Sequence, residues 1–210
     1  MAESCDPERA DRAFFTRDPV TLARRLLGQR LVRMRRGRRT SGIIVETEAY
    51  LGIPDRAAHT HGGRRTERNR SMWIDGGHAY VYFIYGMHCC MNVVAGLAEE
   101  PVAVLLRALQ PDEGVDGMYR RRGAARRDAD LCSGPGKLCQ ALEIDRQLDG
   151  VDLVTDDRLF VELLRQRPLP AGAIAAGPRV GVEYAGEWAA EQLRFAIADN
   201  PNVSRPRPER

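Results

Sequence analysis

The chain has 210 residues, of which 43% are hydrophobic and 29% are charged. These proportions fit one ordinary globular domain that buries a substantial core, and the formal net charge of +3 is too small to indicate a polyanionic partner by itself. Only one of the 32 basic residues is a lysine, Lys137, and we attribute this excess of arginine to GC-rich coding.

The cysteines do not indicate a disulfide framework. Their number is odd, and the N-terminal stretch MAESCDPERADR is acidic and polar, unlike a secretory leader. We therefore expect reduced thiols and a cytoplasmic location. The cysteines are Cys5, Cys89, Cys90, Cys132 and Cys139.

The first predicted elements are a helix and a hairpin. In RDPVTLARRLLG, Asp18 and Pro19 suit the N-cap and the first helical turn, and the helix ends at Gly28. The stretch QRLVRMRRGRRTSGIIVETEAY predicts a hairpin with a basic tip, RRGRR. A long loop rich in glycine and arginine, PDRAAHTHGGRRTERNR, follows it.

The segment AYVYFIYGMHCCMNVVAGL has no charged residue and is nearly long enough to span a bilayer. Its tyrosines, its β-branched residues and the break at Gly86 predict two buried strands around a turn instead. The next stretch, VAVLLRALQP, predicts a strand in which Arg107 stands alone among apolar residues, and RRRGAARRDAD predicts a solvated, mobile loop.

The remaining pattern completes a single α+β domain. SGPGKLCQALEID predicts a helix that starts at Gly134 and Pro135, and RLFVELL, RVGVEY and LRFAIAD predict short strands. With no internal repeat or linker, we predict one domain over residues 18–204, with a curved, mostly antiparallel sheet and helices outside it. Residues 1–17 are expected to be flexible and residues 205–210 to be disordered.

The stretch IIVETEAYLG places polar residues at alternate positions of the predicted strand. Glu46, Glu48 and Tyr50 therefore share one face. Their spacing puts the two glutamate Cα atoms about 7 Å apart, which leaves room for a water or a sugar between the carboxylates. The face suits bond hydrolysis, and it also suits a solvent-facing strand surface.

Metal binding is disfavoured by the spacing of the histidines and cysteines. His59, His61, His78 and His88 lie in one region of the sequence, but the runs HTH and HCC place neighbouring ligands poorly for one tetrahedral site. Walker, dinucleotide and nucleophile-elbow motifs are also missing.

Arginines and tyrosines together favour nucleic-acid binding. The loop HGGRRTERNR combines guanidinium groups with flexible backbone, which suits phosphate oxygens, although a solvated loop has the same composition. The hairpin YVYFIYGMHCCMN gathers Tyr80, Tyr82, Tyr85 and Asn92, and such rings stack on nucleobases or pack in a core.

Six segments form a specific combination when taken in chain order: VETEAYLG, AAHTHGGRRTERNRSMW, YVYFIYGMHCCMNVV, VLLRALQP, LCSGPGKLCQAL and RVGVEYAGEWA. Together they resemble the alkyladenine (3-methyladenine) DNA glycosylase family, from about Asp18 to about Ser204. Any one segment would be weak evidence, whereas six collinear segments are specific.

This resemblance implies a monofunctional glycosylase of base excision repair. Such an enzyme flips an alkylated or deaminated purine out of duplex DNA and hydrolyses the N-glycosidic bond, which leaves an abasic site without strand cleavage. The substrates of this class are 3-methyladenine, 7-methylguanine, hypoxanthine and ethenoadenine. The resemblance further implies a monomer that binds double-stranded DNA containing damaged purines, with no cofactor, metal, membrane or obligate protein partner, associated with the nucleoid when bound to DNA.

By resemblance, Glu48 rather than Glu46 is the catalytic carboxylate that activates water, and Glu46 is expected to be structural, paired with an arginine. Electron-rich tyrosine faces would favour a purine made cationic by alkylation. Asn92 matches the residue that obstructs the exocyclic amino group of ordinary guanine. The base-pocket residues implied are Tyr50, His59, Tyr82, Asn92 and Leu105.

The resemblance also assigns contacts with the DNA. Tyr85, at the tip of a protruding hairpin that inserts into DNA, fills the gap left by the flipped nucleotide. His88 departs from the aromatic residue common at its position, so groove contacts or damage preference can differ. Lys137 could attack the sugar as an amine, but its place at a helix start favours phosphate binding. The implied backbone contacts are Arg64, Met87, His88, Arg107, Ser133 and Lys137.

Two other functions stay open. A damaged-DNA binding module could share the fold without turnover, although a binder has no need of Glu48 beside a cationic ligand. A zinc-dependent hydrolase would use the histidines and cysteines, and metal analysis would test it.

Overall fold

The computed structural model describes residues 7–84, 86 and 88–208. Its helices are α1 (Arg12–Phe15), α2 (Pro19–Leu26), α3 (Val115–Arg122), α4 (Asp128–Leu131) and α5 (Pro135–Leu142). Its strands are β1 (Glu8–Arg9), β2 (Arg30–Arg35), β3 (Arg38–Tyr50), β4 (Ala79–Ile84), β5 (His88–Ala95), β6 (Val102–Glu113), β7 (Leu159–Leu163), β8 (Ile174–Gly177) and β9 (Arg194–Ile197).

The described strands form one sheet in which every pairing is antiparallel. The main order is β1-β7-β2-β3-β6-β5-β4, and β8 joins through β9, which pairs with β3. The predicted single α+β domain with a curved, mostly antiparallel sheet is confirmed.

Strand β3 changes its neighbour half-way along its length. Residues 38–43 pair with β2, whereas residues 46–48 pair with β9, and β6 runs along the other edge from residue 41 to residue 50. The pairing with β6 has register shifts on both sides of Glu46, and such bulges bend a strand. The second half of β3 therefore lies between two strands that both carry a buried arginine, Arg107 on β6 and Arg194 on β9.

The core lies between the sheet and the helices. Asp18 caps α2 by accepting a hydrogen bond from the Thr21 N–H, and Pro19 occupies the first turn, so the local sequence starts this helix as predicted. Leu22 and Leu26 of α2 are fully buried with apolar residues of β3 and β6. Each such side chain stabilises the fold by about 1.5–3 kcal/mol.

Most predicted elements occur where expected: α2, the β2–β3 hairpin, the paired strands β4 and β5, α5, and the strands β6, β7 and β9. Two predictions are wrong. RVGVEY is not a strand, because Arg179 and Val180 bond to Asp55 and Glu48 instead of a neighbouring strand. RRRGAARRDAD is not wholly a loop, since it contains the end of α3 and most of α4.

The described parts of both terminal segments pack against the domain. Phe14 and Phe15, within the segment expected to be flexible, are buried in the core. Near the other end, in the segment expected to be disordered, the Pro206 carbonyl accepts a hydrogen bond from Arg194, and Pro208 lies against Gly177. In the ranges that the structure describes, every helix is too short or too polar to cross a membrane.

Candidate active site

An aromatic cavity of about 330 Å³ opens beside β3, β4 and β5. Alternation along β4 turns Tyr80 and Tyr82 to one side, and Tyr50 ends β3 beside them. The volume is in the range of small-molecule sites, and the walls combine rings with few polar groups. The lining includes Tyr50, His59, Tyr80, Tyr82, Cys90, Asn92, Leu105, Arg107, Pro135, Val180 and Tyr184.

The rings of one wall contact each other. His59 and Tyr82 have ring centroids 4.7 Å apart in an edge-to-face arrangement, and a hydrogen bond of 2.8 Å joins His59 Nδ1 to the Tyr80 hydroxyl. Burial, followed by the charges of Arg68 and Arg64, lowers the pKa of His59 to about 4, so its ring is neutral at pH 7. Burial raises the pKa of Tyr82 and of Tyr80, which keeps both phenols uncharged.

Glu48 lies directly behind the cavity wall and has no exposed surface. The Tyr50 hydroxyl donates to its Oε2 at 3.0 Å, and the Val180 N–H donates to its Oε1 at 2.8 Å. Arg107 Nη1 lies 3.1 Å from the same Oε1. All three partners line the cavity, so this carboxylate is one side chain away from whatever occupies it.

Glu46 lies on the same face, at the point where β3 meets β6 and β9. Its Oε1 accepts hydrogen bonds from Arg107 Nε at 3.0 Å and Arg194 Nε at 2.6 Å, and Ser204 donates to both carboxylate oxygens. The prediction that Glu46 pairs with an arginine is confirmed. The predicted shared face of β3 is therefore real, but it is buried rather than exposed to solvent.

Arg107 joins the two glutamates. Burial alone would lower the pKa of Arg107, but the charges of Glu48 and Glu46 outweigh it and raise that pKa. Its guanidinium is thus held within the protein, at 6% exposure. Its isolation among apolar residues reflects this buried pairing.

A second buried ion pair supports the wall beside Tyr50. Arg179 binds Asp55 through two hydrogen bonds of 2.5 and 2.9 Å, and its guanidinium lies 4.7 Å from the centre of the Tyr50 ring. This pair fixes the chain next to Val180, whose N–H contacts Glu48. The sequence analysis did not single out Asp55 or Arg179 as site residues, because their link spans 124 residues and leaves no local pattern.

Asn92 and Leu105 occupy facing positions on β5 and β6 and both line the cavity. Asn92 is buried, and its Nδ2 donates to the Tyr80 carbonyl at 3.2 Å, which holds the side chain against the aromatic wall. Cys90 also lines the cavity, and burial raises the pKa of its thiol to about 11.

Four of the residues implied to contact DNA are at least partly exposed in the structure: Arg64, His88, Ser133 and Lys137. Arg64 is exposed on the loop before β4, and Lys137 Nζ lies 3.4 Å from Ser133 Oγ at the start of α5. His88, the first residue of β5, is exposed, and its ring lies close to Gly136 of α5. Tyr85 and Met87 lie outside the described residues.

The histidines do not come together as a metal site. His61 contacts the Ile53 carbonyl and His78 contacts the Asp75 carbonyl, each through Nδ1. Within residues 7–84, 86 and 88–208, no three side chains of histidine, cysteine, aspartate or glutamate are grouped so that they could hold a metal ion.

The site therefore belongs to the class of aromatic cavities with a buried carboxylate directly behind the wall. Comparison with known proteins makes this specific. The model of the methylpurine-DNA glycosylase family (MPG) matches residues 13–201. The chain belongs to this family.

Individual relatives agree with the family match. The DNA-3-methyladenine glycosylases of Homo sapiens and Mus musculus are 48% and 46% identical to the chain over 91% of its length. The chain spans only 66% and 60% of those two proteins. A protein of Bacillus cereus (strain AH187) is 42% identical across 94% of this chain and 99% of its own length.

Proposed function

We propose that the protein is a monofunctional DNA glycosylase that removes alkylated or deaminated purines from duplex DNA. The observation that carries this proposal is Glu48, buried behind an aromatic cavity and bonded to three of the residues that line it. Membership in the methylpurine-DNA glycosylase family and the printed names of the mammalian relatives support it.

In this proposal the damaged nucleotide leaves the base stack and its base enters the cavity. The faces of Tyr50 and Tyr82 stabilise a purine that carries a positive charge, because aromatic faces attract cations. The neutral His59 adds no repulsion, since its pKa of about 4 keeps it uncharged at pH 7. Asn92, held by the Tyr80 carbonyl, meets the purine edge and excludes the amino group of guanine.

Glu48 then acts on water at the wall formed by Tyr50, Arg107 and Val180. The water oxygen forms a bond with C1′ of the deoxyribose, its proton passes to the carboxylate, and the electron pair of the broken N-glycosidic bond stays on the base nitrogen. The negative charge of Glu48 also stabilises the positive character that develops on the sugar. A base that was cationic leaves as a neutral molecule, so no strong acid is required.

Exposed residues hold the DNA backbone in this proposal. Arg64, His88, Ser133 and Lys137 are accessible for this contact, with Lys137 bound to phosphate rather than acting as a nucleophile. Arg107 is committed to Glu46 and Glu48, and we assign it to holding Glu48 rather than to a phosphate. Tyr85 is proposed as the residue that fills the gap in the duplex.

One observation favours a second candidate, a binding module without turnover. Glu48 has no exposed surface and is fully bonded within the protein, as a structural carboxylate would be. In that case the aromatic cavity would bind a damaged base and release it unchanged.

Release of free base from duplexes that contain hypoxanthine or an alkylated adenine decides between these candidates. We expect release by the wild type, none by Glu48→Gln, and no covalent adduct after borohydride addition. An adduct that disappears in Lys137→Ala would make Lys137 the nucleophile. Tight binding of damaged duplex without base release from any lesion would establish the binding module.

A further inference from the structure

A second concave surface, which we call the arginine cleft, shares no lining residue with the aromatic cavity. Its volume is about 480 Å³, and seven arginines line it against two carboxylates, Asp116 and Glu143. The β2–β3 hairpin contributes Arg33, Arg35, Arg36, Arg38 and Arg39, and α3 contributes Arg120 and Arg121.

Part of this positive charge is fixed in the wall of the cleft. Arg33 is buried and donates to the main-chain carbonyls of Met34 and Arg158. Arg121 and Arg35 share one carboxylate, Glu143, so this carboxylate cannot neutralise both. Burial, and then the charge of Arg35, lowers the pKa of Arg33.

Arg39 is paired with Glu113 and Glu162, which are not part of the cleft lining. Three arginine side chains remain outside these pairings. Arg36, Arg38 and Arg120 are exposed, and within the part of the chain that the structure describes none of their side chains forms a hydrogen bond or an ion pair. Guanidinium groups collected in one concavity with their donors free suit oxygen-rich anions. Codon bias accounts for many arginines in the chain, but it does not account for their collection around one cleft.

The backbone of the cleft adds further donors and no stacking surface. Gly114 precedes α3 with φ of 71°, no side chain caps the helix there, and Gly114 and Gly117 both line the cleft. A helix N-terminus with free N–H groups favours anions. Among the described residues, none of those that line the cleft is aromatic. A nucleobase would therefore find no ring to stack on, and recognition would rest on the charged oxygens alone.

We propose that the arginine cleft is a second anion site, which binds adjacent phosphate groups of a polyanion without reading bases. The phosphates can come from a nucleic-acid backbone or from a free oligophosphate, and the two sources share the same chemistry. The proposal does not depend on glycosylase activity, because the cleft and the aromatic cavity have no residue in common.

The cleft is positioned to work while the aromatic cavity is occupied. Strand β3 runs from Arg38 at the cleft to Tyr50 at the cavity, and α5 runs from Pro135 at the cavity to Leu142 at the cleft. Each element thus has one end at each site. A polyanion in the cleft can be bound together with a lesion duplex at the cavity.

The test compares two triple variants of the full chain with the same change in charge. The cleft variant carries Arg36→Gln, Arg38→Gln and Arg120→Gln. The control variant carries Arg126→Gln, Arg167→Gln and Arg205→Gln, which are exposed residues outside the cleft. None of the three side chains changed in the cleft variant has a bonding partner among the described residues, and thermal unfolding checks that both variants remain folded.

Inorganic tripolyphosphate is the first probe, titrated calorimetrically with and without saturating duplex that carries an abasic-site analogue. The second probe is an undamaged duplex, labelled and added to the same saturated complex. We expect the wild type and the control variant to bind at least one probe in the presence of the first duplex. The cleft variant should bind it about tenfold or more weakly, with a smaller dependence on salt.

Each result has a definite meaning. Loss of tripolyphosphate binding alone assigns the cleft to free oligophosphates, and loss of the second duplex, alone or together with tripolyphosphate, assigns it to a nucleic-acid backbone. The proposal is overturned if the wild type binds neither probe. It is also overturned if probe binding by the cleft variant is no weaker than probe binding by the control variant. Failure of base release leaves the tripolyphosphate result intact, so the two proposals fail separately.

Discussion

Arg107 bridges Glu46 and Glu48, with Nε 3.0 Å from an oxygen of the first and Nη1 3.1 Å from an oxygen of the second. Two carboxylates on one strand face are thereby given different surroundings. Glu46 is also bound by Arg194 and Ser204, whereas Glu48 is bound by Tyr50 and Val180 at the cavity wall. The contacts separate a carboxylate bound within the sheet from one that lies behind the wall of the aromatic cavity.

Glu48→Gln tests the chemical role directly. The amide keeps the shape but cannot accept a proton from water, so we expect the rate of base release to fall about 10² to 10⁴-fold. Affinity for the damaged duplex should stay close to that of the wild type. Single-turnover release and a binding titration measure the two effects, with Glu191→Gln on the surface as a control. Equal rates in Glu48→Gln and wild type would contradict the assignment.

Arg194→Ala tests the structural role of the Glu46 cluster. Removing Arg194 leaves a buried carboxylate with one cation fewer, and we expect the free energy of unfolding to fall by about 3–5 kcal/mol. Ser204→Ala removes a hydroxyl but keeps the Ser204 N–H bond to Glu46, so its effect should be only about 1 kcal/mol. Urea unfolding measures both. Similar small losses in the two variants would show that the cluster contributes little.

His59 should make stability depend on pH below neutrality. Its pKa is about 4 in the folded protein, against 6.5 as the ordinary value, so the unfolded chain binds more protons between these limits. The contribution of neutral His59 to the free energy of unfolding is complete above pH 6.5 and is lost as the pH falls toward 4. Because His59 is partly exposed, we expect no more than about 2 kcal/mol.

Urea unfolding of the wild type and His59→Gln across this pH range measures that contribution. The difference between the two proteins should shrink as the solution becomes acidic. A constant difference from pH 7 to pH 4 would show that His59 titrates normally.

Asn92→Ala should relax the discrimination against guanine. The side chain is buried in the cavity wall and held by the Tyr80 carbonyl, so its removal opens space where an exocyclic amino group would lie. We expect release of guanine derivatives to rise roughly ten- to hundredfold relative to hypoxanthine. Competition between two labelled duplexes measures this ratio. If the ratio stays unchanged, the discrimination lies elsewhere.

Tyr85→Ala tests the proposed wedge, a residue outside the described part of the chain. Loss of the ring should weaken binding to a damaged site by roughly 1–3 kcal/mol, with a smaller effect on undamaged duplex. Binding titrations with the two duplexes separate these effects. Phe83→Ala is the control, since Phe83 is an exposed aromatic residue of β4. Equal losses in both variants would remove the special role of Tyr85.

Local patterns predicted much of this molecule. Alternation placed Glu46, Glu48 and Tyr50 on one face, and the capping sequence placed α2. Alternation could not show that the face is buried, because the burial comes from β6, from β9 and from Ser204, which is 158 residues away from Glu46. The same alternation misled at RVGVEY, where bonds from Arg179 and Val180 to distant carboxylates replaced strand pairing.

The resemblance supplied what the physical pattern lacked. Nothing in the alternation distinguishes Glu46 from Glu48, and only the motif selected the second. Arg107 gave a signal, its isolation among leucines, but the resemblance implied a contact with the DNA backbone, whereas the structure pairs this arginine with Glu46 and Glu48. Arg194 and Asp55 gave none, because their partners are far away in sequence.

The contacts between Glu46 and Ser204 also affect the order in which the structure can form while the chain is being synthesised. A ribosome that adds about 5–20 residues per second reaches Ser204 roughly 8–30 s after Glu46. During that interval the nascent chain contains Glu46 and Glu48, but Arg194 and Ser204, which bind Glu46 in the folded protein, have not yet been synthesised. The buried cluster around Glu46 can therefore be completed only after these late residues have emerged from the ribosome.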